Sequence, residues 1–206
     1  MLRIPRGWRN LKLNVKPDNI FVNYGSGSSR FTEVELGDYG DVCFVDPKDH
    51  LKVGEEGHAI GAHMFRSPEA MLNLRWGTPT DIWSLGTTLI SLIWGGGWHI
   101  FKPDPKDAGP DDESYPNHVL VKEIAYFGPV PSSYSEFLPK DSETWELLGD
   151  TTQYIIDNKK WKPFAMAEDP ELSEEDRAFI CRIMKLDPRD RPTARQLLQD
   201  PWFKGV

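Results

Sequence analysis

Val15-Lys16-Pro17-Asp18-Asn19-Ile20 decides how the rest of this chain is read. A strand-like run, Ile20 to Asn23, follows it, and a second runs from Val34 to Leu36. Between them lies Gly25-Ser26-Gly27-Ser28-Ser29, residues that supply turn conformations and little to pack, so the pair reads as a hairpin with a long tip. No helix follows the Gly/Ser stretch, which argues against a phosphate loop, since such a loop needs a helix N-terminus behind it. Further along come Asp38-Tyr39-Gly40, Phe65-Arg66-Ser67-Pro68-Glu69, Asp81-Ile82-Trp83-Ser84-Leu85-Gly86 and Leu186-Asp187-Pro188-Arg189-Asp190-Arg191-Pro192-Thr193.

In this order the segments resemble the motif set of the eukaryotic-type Ser/Thr protein kinase family, from Lys12 to Phe203. The stretch around Val15 to Ile20 resembles the catalytic loop, spanning 12–19. Asp38-Tyr39-Gly40 resembles the metal-binding element that opens the activation segment, and Phe65 to Glu69 the element that closes it, giving a segment over 38–69. Asp81 to Gly86 resembles the start of the buried central helix of the C-terminal lobe, and Leu186 to Thr193 the C-terminal arginine segment. Each motif alone is weak, and the order carries the resemblance. It implies an α+β fold that is mainly α-helical: a protein kinase-like C-terminal lobe with a small β-hairpin at the nucleotide cleft, as one domain over residues 1–206.

The resemblance implies ATP and Mg²⁺ as cofactors. Asn19 and Asp38 match the two metal ligands, an amide and a carboxylate oxygen, both hard donors of the kind Mg²⁺ prefers. Lys16 matches a Lys that touches the transferred phosphate and the acceptor, so Lys16, Asn19 and Asp38 together are the cofactor-binding set. Taken singly, Asp38 is a turn Asp before Gly40, Asn19 a loop amide and Lys16 a surface cation. Asn14 stands where the family carries its catalytic Asp. An amide oxygen can accept a hydrogen bond from a hydroxyl but cannot take its proton, and general base catalysis is worth about 10²- to 10⁴-fold, or roughly 3 to 5 kcal/mol of barrier. Ala62, after Gly61, replaces the Thr that bonds the catalytic Asp and Lys in the family. Lys12 and Leu13 replace its His and Arg, which removes the usual charge partner of a phosphorylated activation loop. Glu69 and Arg191 match an ion pair that pins the activation segment to the lobe.

The net charge of −8 and a pI near 5.2 argue against a nucleic-acid-binding face. The 206 residues suffice for one domain burying about 70% of its unfolded surface. The longest apolar stretch, Ile82 to Trp94, is too short to span a membrane, which needs about twenty residues. Met1 to Lys12 carries arginines but no apolar run, unlike a secretory signal. Cys43 and Cys181 read as buried thiols in a reducing compartment. An intracellular protein, cytoplasmic or nuclear, is expected. A kinase small lobe would lie before Lys12, so the N-terminal lobe is expected to be absent, leaving an uncovered apolar cleft surface and self-association through it.

Thr78 reads as the cap of the central helix, with Pro79 in its first turn, Asp81 three residues after the cap and Gly95-Gly96-Gly97 at its end. Asp81 faces the helix dipole there, and the resemblance adds hydrogen bonds to the catalytic-loop backbone. Residues 102–116 read as a solvated loop and His118 to Phe127 as a helix with Val119, Leu120 and Ile124 in the core. Residues 129–170 read as an elaboration with short helices over Ser142 to Leu148 and Thr151 to Asp157, packed onto the lobe by Trp145 and Trp161. Ser173 caps the next helix, stopped by Asp187-Pro188, and Thr193 with Gln196 forms a capping box for the last, which ends at Asp200-Pro201. Three readings stay open: a divergent Ser/Thr kinase, a non-catalytic kinase-like interaction module, and a truncated or decaying gene product.

Overall fold

The structure, a computed structural model, describes residues 11–12, 15–27, 30–38, 40, 43–44, 57, 60–138 and 143–205. Its strands are β1 (Leu11–Lys12), β2 (Ile20–Tyr24), β3 (Phe31–Leu36) and β4 (Cys43–Phe44). The helices are α1 (Pro68–Met71), α2 (Pro79–Trp94), α3 (Tyr115–Phe127), α4 (Thr144–Asp157), α5 (Glu174–Ile183) and α6 (Ala194–Leu197), with 3-10 turns between them. β1 pairs antiparallel with β4, and β2 with β3. The molecule is therefore helix-rich with small antiparallel ladders.

The β2–β3 hairpin runs in the register Ile20↔Leu36, Phe21↔Glu35, Val22↔Val34 and Asn23↔Glu33. Period-2 alternation puts Ile20, Val22, Val34 and Leu36 on one face, half-buried, and leaves Phe21 and Asn23 outward. The Gly/Ser tip closes through the Gly25 amide donating to the Arg30 carbonyl at 2.9 Å, with Gly27 at φ 85°.

α2 is the axis of the core. Pro79 occupies its first turn, where a missing N–H costs nothing, and Gly95 at φ 61° ends it. Thr78, expected as a side-chain cap, is itself helical at φ −56° and makes no capping hydrogen bond. Its place is taken by a backbone turn, Thr80 N–H to Gly77 carbonyl at 3.0 Å. Trp83 and Ile90 are fully buried, each worth about 1.5–3 kcal/mol. Gly86 lets α2 meet α5 closely, because a side chain there would strike Met184 and Ile183.

Among the described residues no helix is long and apolar enough to cross a membrane. α3 begins at Tyr115, three residues before the expected His118, because Pro116 sits in its first turn and Tyr115 is buried. The loop before it is solvated for the most part, as composition suggests, yet anchored by the buried Pro103 and Ala108. Val119, Leu120 and Ile124 point into the core as expected.

In the 129–170 region the two expected short helices are one, α4, because Gly149 faces open solvent and Thr151 and Thr152 bond back to the Leu147 and Leu148 carbonyls at 2.7 and 2.8 Å. Trp145 and Trp161 do not anchor it, being 43% and 36% exposed; Leu148, Ile155, Tyr134 and Phe164 do. Ser173 caps α5 by accepting from Asp176 N–H at 3.0 Å, and Thr193 and Gln196 form the capping box of α6. α5 ends at Ile183, ahead of Asp187-Pro188, and α6 at Leu197, short of Asp200-Pro201. Cys181 is half-buried, which pushes its thiol pKa up. The Cys43 side chain lies outside the described residues.

Candidate active site

Lys16 takes extended φ/ψ of −153° and 159° and leads into a 3-10 turn, Pro17–Asn19, that Pro17 pre-sets. Asn19 N–H closes the turn on the Lys16 carbonyl at 3.0 Å. Asn19 is 3% exposed, whereas Lys16 is half-buried. The chain then enters β2 and returns through β3 to Gly37, whose N–H donates to the Asn19 carbonyl at 2.8 Å. Asp38 comes next, so the hairpin brings Asn19 and Asp38 to the same end of one ladder.

Asp38 is exposed and adopts φ 56°, a left-handed conformation unusual for any residue but glycine. A side chain built at Gly40 would meet Asp38 Oδ1 at 3.5 Å, an ordinary contact distance. Asn14, Leu13 and Tyr39 lie outside the described residues, and the reading of Asn14 rests on sequence. Among the described residues no group of three or more His, Cys, Asp or Glu converges as a metal-binding cluster. The oxygen-bearing side chains at this end of the hairpin include the buried amide of Asn19 and the exposed carboxylate of Asp38.

α2 holds both sides of this region through hydroxyls that the sequence reading passed over. Thr88 Oγ1 donates to the Val15 carbonyl at 3.4 Å. Ser84 Oγ lies 2.8 Å from the Phe65 carbonyl and 3.0 Å from that of Thr80. Ser67 and Thr80 share a hydrogen bond between their buried hydroxyls. A helix this apolar with hydroxyls at 80, 84, 87 and 88 was the available signal, because buried polar groups require partners. Asp81 stands in the first turn, as its ordinary explanation requires.

The segment from Gly61 to Glu69 is pinned twice. Arg66 Nε donates to the Ile60 carbonyl at 3.1 Å and its Nη2 to the Gly61 carbonyl at 2.8 Å, just before the exposed Ala62. Glu69 and Arg191 form a bidentate pair at 2.7 and 2.8 Å with both side chains fully buried. Arg191 also donates to the carbonyls of Lys185, Leu186 and Pro79 at 2.7, 3.0 and 3.0 Å, and its guanidinium lies 5.1 Å from the Trp83 ring centroid. Every remaining donor direction is used, the condition for a buried pair to hold.

Beside the pair lies a residue that sequence reasoning missed. Glu123 of α3 is 0% exposed, and neither carboxyl oxygen is hydrogen-bonded. Burial first, and then the Glu69 charge, pushes its pKa well up, against opposing pulls from Arg191, Arg66 and the nearby indole N–H of Trp83, which stops short of a hydrogen bond. His63, between Ala62 and Arg66, is held below its ordinary pKa by burial and then by the Arg66 charge.

Comparison with known proteins agrees with the motif order. The protein kinase domain family matches residues 12–203. A serine/threonine protein kinase of Aspergillus fumigatus is 28% identical over 190 residues, which cover 86% of this chain and 42% of the relative. The serine/threonine-protein kinase SKY1 of Saccharomyces cerevisiae is 27% identical over 183 residues, covering 84% and 22%. The DYRK-family kinase pom1 of Schizosaccharomyces pombe is 24% identical over 200 residues, covering 93% and 16%. The chain spans less than half the length of these relatives. With the match running through nearly all of it, the chain belongs to the protein kinase family.

Proposed function

We propose that this chain carries an ATP- and Mg²⁺-dependent Ser/Thr phosphotransfer site whose proton-accepting step is impaired. The observation that carries the reading is the Gly37 N–H bond to the Asn19 carbonyl, which joins the buried amide and the left-handed Asp38 at one end of the hairpin. Their two side chains offer hard oxygen donors suited to Mg²⁺. When bound, Mg·ATP supplies the phosphoryl group and the cation that neutralises its charge. In this reading Asn19 and Asp38 hold the metal, Lys16 meets the transferred phosphate, and Asn14 orients an acceptor hydroxyl without relieving it of its proton. The described elements serve as a C-terminal lobe, in keeping with their helical content.

The test is Mg²⁺-dependent ATP binding by calorimetry, followed by phosphotransfer to a generic Ser/Thr peptide mixture, in the chain and in Asn14→Asp. Mg²⁺-dependent binding with a gain of about 10²- to 10⁴-fold in phosphotransfer on Asn14→Asp is expected. Absence of nucleotide binding with Mg²⁺ present would overturn the reading in favour of a non-catalytic interaction module.

One observation favours that second reading: Phe21, Tyr24 and Phe31 on the hairpin are 58%, 78% and 41% exposed. Such apolar surface tends to be covered by a partner or a second copy. Self-association is the expected behaviour, and a monodisperse monomer in light scattering would argue against it.

A further inference from the structure

A cavity of about 310 Å³ opens on the side of the molecule formed by the loop from Pro103 to Asp107, the outer face of α3 and the chain leaving α4. Lys122, Lys159, Lys160 and Lys162 line it, against the carboxylates of Asp104 and Asp107. This is a local excess of positive charge in a chain whose net charge is −8. α3 contributes the apolar Val121 and Ala125 and, beside them, the titratable side chains of His118 and Tyr126.

Three features separate this cluster from an ordinary solvated lysine face. Lys122 is half-buried, and its ammonium donates to the Lys102 carbonyl, so it is fixed rather than free to swing into water. Lys162 N–H is tied to the Ala125 carbonyl at 3.1 Å, which locks the segment after α4 against α3. Lys159 occupies the left-handed position that ends α4, at φ 52°, while Lys159 and Lys160 N–H bond back to the Ile156 and Ile155 carbonyls at 3.0 and 2.9 Å. Glycine is the usual residue at that position.

We propose that this cavity binds a free, small polyphosphate-class anion, held by Lys122, Lys159 and Lys162 beside α3. Lys160 is partly engaged already, 3.8 Å from Asp107 and over the Tyr154 ring at 5.0 Å. The concave shape suits a compact anion rather than an extended polymer. Ammonium groups crowded by one another gain most from an anion, and burial followed by the charge of Lys162 already holds the Lys122 pKa below its ordinary value. An anion reverses that depression, so binding at alkaline pH takes up protons. The site shares no residue with the loop around Asn19 and stands whether or not the chain transfers phosphate.

The experiment is calorimetric titration of the full chain with sodium tripolyphosphate, and separately with inorganic phosphate, in two alkaline buffers of different ionisation enthalpy. Saturable binding at one site is expected, tighter for tripolyphosphate and with net proton uptake. Lys159→Ala/Lys162→Ala removes two exposed side chains without touching the core and is expected to weaken binding about tenfold or more. Lys204→Ala removes one charge outside the cavity and is expected to leave it unchanged. Absence of saturable binding, or equal affinity in the double variant and the parent chain, would overturn the proposal.

Discussion

Glu123 on α3 and Glu69 on α1 are both fully buried, and only Glu69 has a guanidinium locked onto it. Burial and the Glu69 charge together keep Glu123 protonated in the fold well above its ordinary range. The unfolded chain loses that proton near pH 4.5, so stability is full below that pH and is lost as pH rises toward the folded pKa. Glu123→Gln keeps the shape and removes the titration. We expect the variant to melt above the parent at pH 7 to 8, with the gap closing toward pH 4.5, and a gap independent of pH would refute this.

His99 supplies the opposite slope. It is 6% exposed, its Nδ1 accepts from Phe101 N–H at 3.2 Å, and its Nε2 has no partner. Burial, with a smaller contribution from the Lys122 charge, lowers its pKa from 6.5 to about 4. A depressed base is protonated more readily in the unfolded chain, so stability falls as pH drops from 6.5 toward 4. The loss is on the order of 3 kcal/mol. Chemical denaturation of His99→Gln between pH 4 and 7 should show this acid-side loss removed, while parallel curves would exclude it.

Arg191 is the costliest single side chain to remove. Arg191→Ala strands the buried carboxylate of Glu69 and three carbonyls, and should cost about 3 to 5 kcal/mol. Arg191→Lys should recover little, because an ammonium cannot reproduce the bidentate fork. Asn14→Asp is expected to alter stability far less than Arg191→Ala. Equal melting temperatures for the two would contradict the assignment.

Asp38 allows backbone and carboxylate to be separated. At φ 56° a glycine is unstrained and an alanine is not, so Asp38→Gly should exceed Asp38→Ala in stability by about 1 kcal/mol. Both lack the carboxylate, and both should lose Mg²⁺-dependent ATP binding equally. Binding retained in either variant would remove Asp38 from the proposed metal set.

Much of this was legible beforehand. Motif order pointed to the family, and opposite charges at 69 and 191 pointed to a pair that the structure buries. Ser173 and Thr193 could be read as caps because capping chemistry is local. What escaped depended on surroundings. Two short helices were expected where α4 runs unbroken, and Gly149 between them lies on the solvent side, where lacking a side chain costs no packing. Trp145 and Trp161 looked like anchors because large aromatics usually are, and only the packing shows that Leu148 and Ile155 hold that helix. Glu123 gave no warning, since a Glu beside Lys122 on a helix reads as surface until Glu69, Trp83 and Arg66 are seen around it.

The pairing of Glu69 with Arg191 also sets a timetable for synthesis. The two are 122 residues apart in the chain, and at typical translation rates the arginine is added roughly 6 to 24 s after the glutamate. Throughout that interval the nascent polypeptide carries the Glu69 carboxylate without the guanidinium that pairs with it in the fold. The buried pair can therefore form only once the arginine segment has left the ribosome, and until then the Glu69 carboxylate has no guanidinium to be buried against.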